Sequence, residues 1–363
     1  IVRAAMASWS ASKDALGRSF GGEIRLPAGR YRITGPLKLE PQGGLVGLTI
    51  SGVGPGSEII FDGPSATILC RASRGVFFRD LSFVSLQGVD ANQAAFTVEQ
   101  VGNPLRSWRF ERCDFAAFYR CFAVSSRVMC SEFFFDKCQF SQCYHLMDND
   151  NEQAVNWNFV NCNWENGELE TRKDVRLAAA FWLKKGTFVT WTGGSFIFLG
   201  RLVLYKLTIP GMVQRPSHMI SFKGVRLELE DEGGGHVPFV DRIDAGYVSG
   251  TNQPTTIFDS CTILQRGSIP PTVVYARAWA NCAISFVNCK AETVRIVGVL
   301  DAVTPTHTAS ITIDNCKSIS YEADTRARLN THDQHSVTIV PDNCSAGVEP
   351  IIEQRLCSLA APV

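Results

Sequence analysis

The feature that most constrains this chain is a repeat that recurs once every 24 to 28 residues. Phe110-Glu111-Arg112-Cys113-Asp114-Phe115, Phe135-Asp136-Lys137-Cys138-Gln139-Phe140 and Phe159-Val160-Asn161-Cys162-Asn163-Trp164 share one pattern: aromatic, two residues, Cys, one residue, aromatic. The cysteines are 25 and then 24 residues apart. The pattern returns at Phe258-Asp259-Ser260-Cys261, Phe286-Val287-Asn288-Cys289, Ile313-Asp314-Asn315-Cys316 and, with one extra residue, Val340-Pro341-Asp342-Asn343-Cys344. Weaker members stand at Phe78–Phe83, Trp191–Phe196 and Phe222–Val225, and the longer intervals around them imply loops inserted into the repeat.

The period sets the architecture. Each unit alternates apolar and polar residues over a few positions, the signature of a short half-buried strand. About 25 residues is too short for a βαβ unit, which needs roughly 30 or more. It suits one coil of a solenoid made of three short strands and three turns. The expected fold class is therefore all-β, a right-handed single-stranded parallel β-helix. Equivalent residues of successive coils would stack about 4.8 Å apart. Roughly ten coils would make a rod on the order of 50 Å long. The repeated Cys would form an interior ladder of small apolar thiols. The Asn or Asp that often precedes it would occupy a turn, where the left-handed conformation is tolerated. Helical solenoids are excluded because helical periodicity is nearly absent after residue 20.

Composition narrows the class further. Of 363 residues, 35 are Lys or Arg and 35 Asp or Glu, so no net charge steers the chain toward nucleic acid or an anionic membrane. No apolar run reaches the roughly 18 residues of a membrane span, so no membrane insertion is expected. No basic segment followed by an apolar one opens the sequence, and the expectation is either a processed chain or an N-terminus upstream of Ile1. The 13 cysteines are an odd number, which leaves at least one thiol free or paired between chains. Cys121, Cys130, Cys143, Cys282 and Cys357 lie off the main repeat and are the candidates for disulfides; buried thiol is the expectation for the others.

Residues 1–20 read differently. Val2, Ala5, Met6, Trp9, Ala15 and Leu16 fall at helical spacing, and an amphipathic helix here would cover the first coil, which a solenoid otherwise exposes. The expected organisation is a capping helix over 1–20, a β-helix over 21–345 and a cap or tail over 346–363. In that tail Ile351, Ile352 and Leu356 suit either a last-coil cap or a subunit interface.

Two stretches follow the helix: Gly21-Gly22-Glu23-Ile24-Arg25-Leu26-Pro27-Ala28-Gly29-Arg30-Tyr31, then Gly52-Val53-Gly54-Pro55-Gly56-Ser57-Glu58-Ile59-Ile60. This opening closely resembles that of the pectate-lyase-like superfamily as it occurs in bacteriophage tailspikes and depolymerases. The motifs cover residues 1–61, and the repeat carries the likeness to about residue 345. The "TDD-x-x-AI" lead-in of that family is not seen. The resemblance speaks for fold, since the fold hosts lyases, hydrolases, esterases and pure binders.

Sites that act on glycans combine carboxylates for acid–base work with aromatic rings for sugar stacking. The best such cluster is Asp148-Asn149-Asp150-Asn151-Glu152, followed by Trp157, Trp164, Glu165, Glu168 and Glu170. Asp148 and Asp150 alternate with Asn149, so on a strand they would share a face. Asp148, Asp150 and Glu168 are the candidate catalytic residues, for cleavage by paired carboxylates. Trp157, Trp164, Glu152 and Glu165 are the candidate substrate-binding residues. The alternative reading of the run is a polar turn and a solvated loop. The same oxygens also suit Ca²⁺, although EF-hand spacing is lacking; no other cofactor is expected. Glu228, Glu230, Asp231, Glu232, Asp241 and Asp244 form a reserve set around an inserted loop. Trp182 and Trp191 flank Lys184-Lys185 as either a glycan platform or, preferably, core. The six histidines, His145, His218, His236, His307, His332 and His335, form no metal-ligand pair.

What the resemblance implies is a phage tailspike or tail receptor-binding protein, extracellular on the virion. It would recognise, and as a depolymerase cleave, a bacterial surface polysaccharide. Its expected partners are that glycan, two further copies in a homotrimer, and other tail or baseplate proteins. The alternatives are a secreted monomeric polysaccharide lyase or glycoside hydrolase and a non-enzymatic structural virion protein. Arg172, Lys173, Arg176, Lys184 and Lys185 are the cations available to a lyase.

Overall fold

The computed structural model describes residues 17–39, 44–89, 92–99, 105–125, 129–151, 153–166, 179–184, 187–199, 201–205, 218–230, 240–242, 255–265, 272–277, 283–299, 310–314 and 317–322. Every regular element in them is a short β-strand, apart from a single 3₁₀ residue at Val89. All named strand pairings are parallel and link one coil to the next. The parallel β-helix expected from the repeat is the observed fold.

The coils present three faces. The first is a 12-stranded sheet that includes Ser73–Arg79, Leu105–Glu111, Cys130–Asp136 and Ala154–Val160. The second stacks three-residue strands such as Asp114–Ala116, Gln139–Ser141 and Asn163–Glu165. The third stacks Thr67–Cys70, Ala94–Glu99, Arg120–Ser125, His145–Asn149, Ala179–Leu183 and Arg201–Tyr205. The second and third faces merge into one 20-stranded sheet because the long strand Lys290–Val299 pairs with both Thr262–Gln265 and Thr272–Arg277.

Register puts the repeat inside. Phe110, Phe135 and Phe159 are direct partners across three coils. Their rings stack in parallel, 4.9 Å apart between the first two and 4.3 Å between the last two. Trp191 continues the stack at 4.7 Å, and Phe222, Phe258 and Phe286 extend it. A second column, Phe83, Phe115 and Phe140, follows the same rule at 5.0 and 4.9 Å. A parallel sheet in register brings identical rings to the strand spacing, so the repeat is its own packing partner. The nine described cysteines are buried thiols with no disulfide among them, including Cys121, Cys130 and Cys143; Cys282 and Cys357 lie outside the described residues.

The turn before the described on-repeat cysteines is left-handed, as is the one before Leu81, which stands in the cysteine's place one coil before Cys113. Asp80, Arg112, Lys137, Asn161, Ser260 and Asn288 all have φ between 49° and 56°. Asn and Asp were expected there, yet Arg112 and Lys137 adopt the same conformation. The reason is a backbone ladder: Arg112 N–H donates to Asp136 O, Lys137 N–H to Val160 O and Asn161 N–H to Thr192 O, at 2.9, 2.9 and 2.8 Å. Each coil templates the turn of its neighbour and overrides the side chain's own preference. Gly194 takes the place of the cysteine one coil after Cys162, and a Cβ there would lie 1.9 Å from the Cys162 carbonyl oxygen. That close approach bars a side chain at Gly194, and in the coil after it Val225 stands in the cysteine's place.

The capping-helix expectation requires one correction. Residues 1–16 lie outside the described residues, but Ser19–Phe20 is a strand paired with Leu45–Val46, so a helix does not run to residue 20. The first sheet recruits these two residues, because pairing satisfies backbone groups that a cap would leave exposed. The segment 346–363 also lies outside the described residues. Among the described residues no helix is long and apolar enough to cross a membrane.

Candidate functional site

The third face carries the site. Along it Phe122, Met147 and Phe181 point inward in register, and the residues that follow them, Ala123, Asp148 and Trp182, form the adjacent column. Asp148 thus stands between Ala123 and Trp182 with its carboxylate outside the core column. It is nevertheless only 5% exposed, because two cations cover it. Arg120 Nε lies 3.1 Å from Asp148 Oδ2, and Lys184 Nζ lies 2.6 Å from Oδ1. Arg120 opens the strand one coil before, and Lys184 follows the strand one coil after. A buried charge is tolerated only when paired in this way.

Aromatic rings position both cations. The Arg120 guanidinium lies 5.0 Å from the Tyr119 ring centre, and Lys184 Nζ lies 4.3 Å from that of Trp182. Arg120 Nη2 also donates to Asn92 Oδ1 at 2.6 Å. Tyr119 and Tyr144 stack at 5.1 Å, and the buried His145 ring lies 4.7 Å from Tyr144 and 5.1 Å from Trp182. Burial pushes the His145 pKa down to about 4, opposed in part by the Ala179 carbonyl 2.7 Å from Nδ1.

The run Asp148-Asn149-Asp150-Asn151 divides its work by alternation. Asn149 and Asn151 are fully buried, and their side chains build the turn into the next coil. Asn149 Oδ1 accepts from Asn151 N–H at 3.0 Å, and Asn151 Oδ1 from Gln153 N–H at 2.7 Å. Asp148 and the half-buried Asp150 line a pocket of about 360 Å³ together with Arg120, Lys184, Thr67, Asn92, Gln93, Thr97 and Ser125. That volume lies at the small end of ligand pockets. The shared face expected for Asp148 and Asp150 and the polar turn weighed against it are both present, on alternate residues.

Other expectations fare differently. Trp157 and Trp164 were expected to bind substrate, and this is corrected: they are 0% and 1% exposed and belong to the interior columns. Trp157 stacks on Phe133 at 4.0 Å. Strand alternation turns both indoles inward, where burial of a large ring outweighs any surface role. Glu165 is exposed on the second face, in register with Ser141 and Ile197, and does not line the pocket. Glu152 and Glu168 lie outside the described residues, as do Glu170, Lys185, Asp231, Glu232 and Asp244. Trp191 is core, as expected, whereas Trp182 is half-buried beside Asp148 and holds Lys184. Glu228 pairs with Arg226 at 2.7 Å, and Asp241 lies on the third face in register with Leu204. Among the described residues no group of three His, Cys, Asp or Glu gathers to hold a metal.

Arg120, Tyr119, Asn92, Gln93, Thr67 and Thr97 were not anticipated. They stand on other coils, and only an alignment of coils on the Cys113–Cys138 repeat would have set Arg120 beside His145.

Comparison with solved structures is informative at this point. The fold resembles that of GH87 alpha-1,3-glucanase catalytic domains. One such domain, in complex with nigerose, superposes with a TM-score of 0.54 at 12% identity over 90% of this chain. A variant in complex with tetrasaccharides gives 0.53 at 13% identity, also over 90%. The chain spans 65% of the length of either structure. At this identity the likeness establishes fold alone. No family profile matches the sequence, and no curated protein matches it.

Proposed function

We propose that this chain is a polysaccharide-active β-helix protein that binds glycan in the Asp148 pocket and cleaves it as a glycoside hydrolase. The observation that carries this reading is the pairing of Asp148 with Asp150 on one pocket wall lined by hydroxyls and amides. Two residues along a strand advance about 6.6 Å. Inverting glycosidases separate their carboxyl groups by about 6.5–9.5 Å, with one protonating the leaving oxygen and the other activating water. Asp148 holds Arg120 and Lys184, one at each oxygen, against the pocket wall. The glucanase neighbours, crystallised with oligosaccharides, support the glycoside hydrolase reading over a lyase.

The finer setting we propose is a phage tailspike, extracellular and trimeric, supported by the opening motifs at residues 21–31 and 52–60. The test of activity is incubation with capsular polysaccharides and α-glucans. New reducing ends without ultraviolet-absorbing unsaturated product are expected, and loss of about 10²–10⁴-fold in rate on Asp150→Asn. Unchanged turnover in Asp150→Asn and Asp148→Asn would remove both from the chemistry. Light scattering tests the trimer.

A further inference from the structure

We infer that the Asp148 pocket selects uncharged sugar units and rejects uronic acids and other anionic sugars, a specificity that rests on the polysaccharide reading above. The argument is one of charge already committed. Among the described residues around the pocket, Arg120 and Lys184 both pair with Asp148, and Arg71, which follows the strand Thr67–Cys70, pairs with Glu99. Asp150 adds a second carboxylate to the wall. Lining cations and carboxylates therefore balance two against two. The other polar groups are neutral: Thr67 and Thr97 join hydroxyl to hydroxyl at 2.9 Å, and Asn92 and Ser125 stand beside them.

An anionic sugar would have to draw Arg120 or Lys184 away from Asp148. That would leave a buried carboxylate short of a partner, the costly outcome for a buried pair. It would also face Asp150, while the two cations that line the pocket already hold Asp148. A neutral sugar asks only for hydroxyl and amide hydrogen bonds, which the wall offers without breaking an ion pair. Asp148 is in this view a specificity residue: it cancels two cations that would otherwise make the pocket an anion site.

The experiment is a glycan array carrying neutral and acidic oligosaccharides, probed with the full chain, followed by titration calorimetry on a neutral and a uronate ligand of equal length. Neutral ligands should bind at least about tenfold more tightly than acidic ones, a difference of one decade in Kd. In Asp148→Asn the acidic ligands should gain affinity as two cations are released. Because that residue is buried, Asp150→Asn at the rim serves as the second variant and should gain acidic binding by a smaller factor, with circular dichroism verifying the fold of each. Equal or tighter binding of uronates by the wild-type protein, or no gain in either folded variant, overturns the inference while leaving the polysaccharide reading standing. Binding to no glycan at all overturns both.

Discussion

Lys184 Nζ stands 2.6 Å from Asp148 Oδ1 and 4.3 Å from the ring centre of Trp182, the residue that occupies the position of Asp148 one coil further on. The ammonium is thus shared between a carboxylate and a π-face stacked along the helix axis. Lys184→Met should destabilise the protein by about 1–3 kcal/mol, because Asp148 is left with one cation. Asp148→Asn in the Lys184→Met background should cost less than it does alone. A double-mutant cycle by chemical denaturation should return a coupling of at least about 1 kcal/mol. Simple additivity would mean that the pair is not coupled.

His145 makes stability pH-dependent on the acid side. Its folded pKa of about 4 lies below its ordinary 6.5. Between those values the unfolded chain takes up a proton that the folded chain does not, so stability falls as pH drops from 6.5 to 4. The contribution is fully present above 6.5 and fully lost below 4. A shift of this size corresponds to about 3 kcal/mol. Denaturation midpoints measured across that window should slope downward in the wild type and flatten in His145→Gln.

Phe135 is fully buried between the rings of Phe110 and Phe159. Phe135→Ala should cost about 3–5 kcal/mol, since stacked coils hold both neighbours at the strand spacing and stop them closing the gap. Urea titration followed by tryptophan fluorescence measures it, and a loss below about 1 kcal/mol would show that the coils collapse around the cavity.

Lys137 is exposed yet has φ of 52°. A left-handed lysine costs roughly 1–2 kcal/mol relative to its ordinary conformation. Lys137→Asn should therefore raise stability by about 0.5–1 kcal/mol, and Lys137→Val should lower it. Opposite signs in the two thermal melts are the expected result.

Much of the architecture could be read in one dimension because a solenoid converts sequence period into spatial neighbourhood. The spacing of Cys113, Cys138 and Cys162 defines the coil, and the aromatics on either side of each cysteine become its stacking columns. The alternation of Asp148 and Asp150 with Asn149 likewise set their common face, since strand side chains alternate by geometry. Tertiary structure decided what lies between coils. Trp157 and Trp164 follow Asp148 closely in the chain, yet strand alternation turns them into the interior and away from the pocket. Arg120, Tyr119 and Asn92 come to Asp148 from earlier coils, a proximity set by register and not by separation along the chain. The left-handed turn at Arg112 and Lys137 was hidden for the same reason: it is imposed by the backbone hydrogen bonds of the next coil. The sequence by itself determined the period and the alternation, which are local; the partners of each charge depended on coil-to-coil register, which exists only once the chain has wound upon itself.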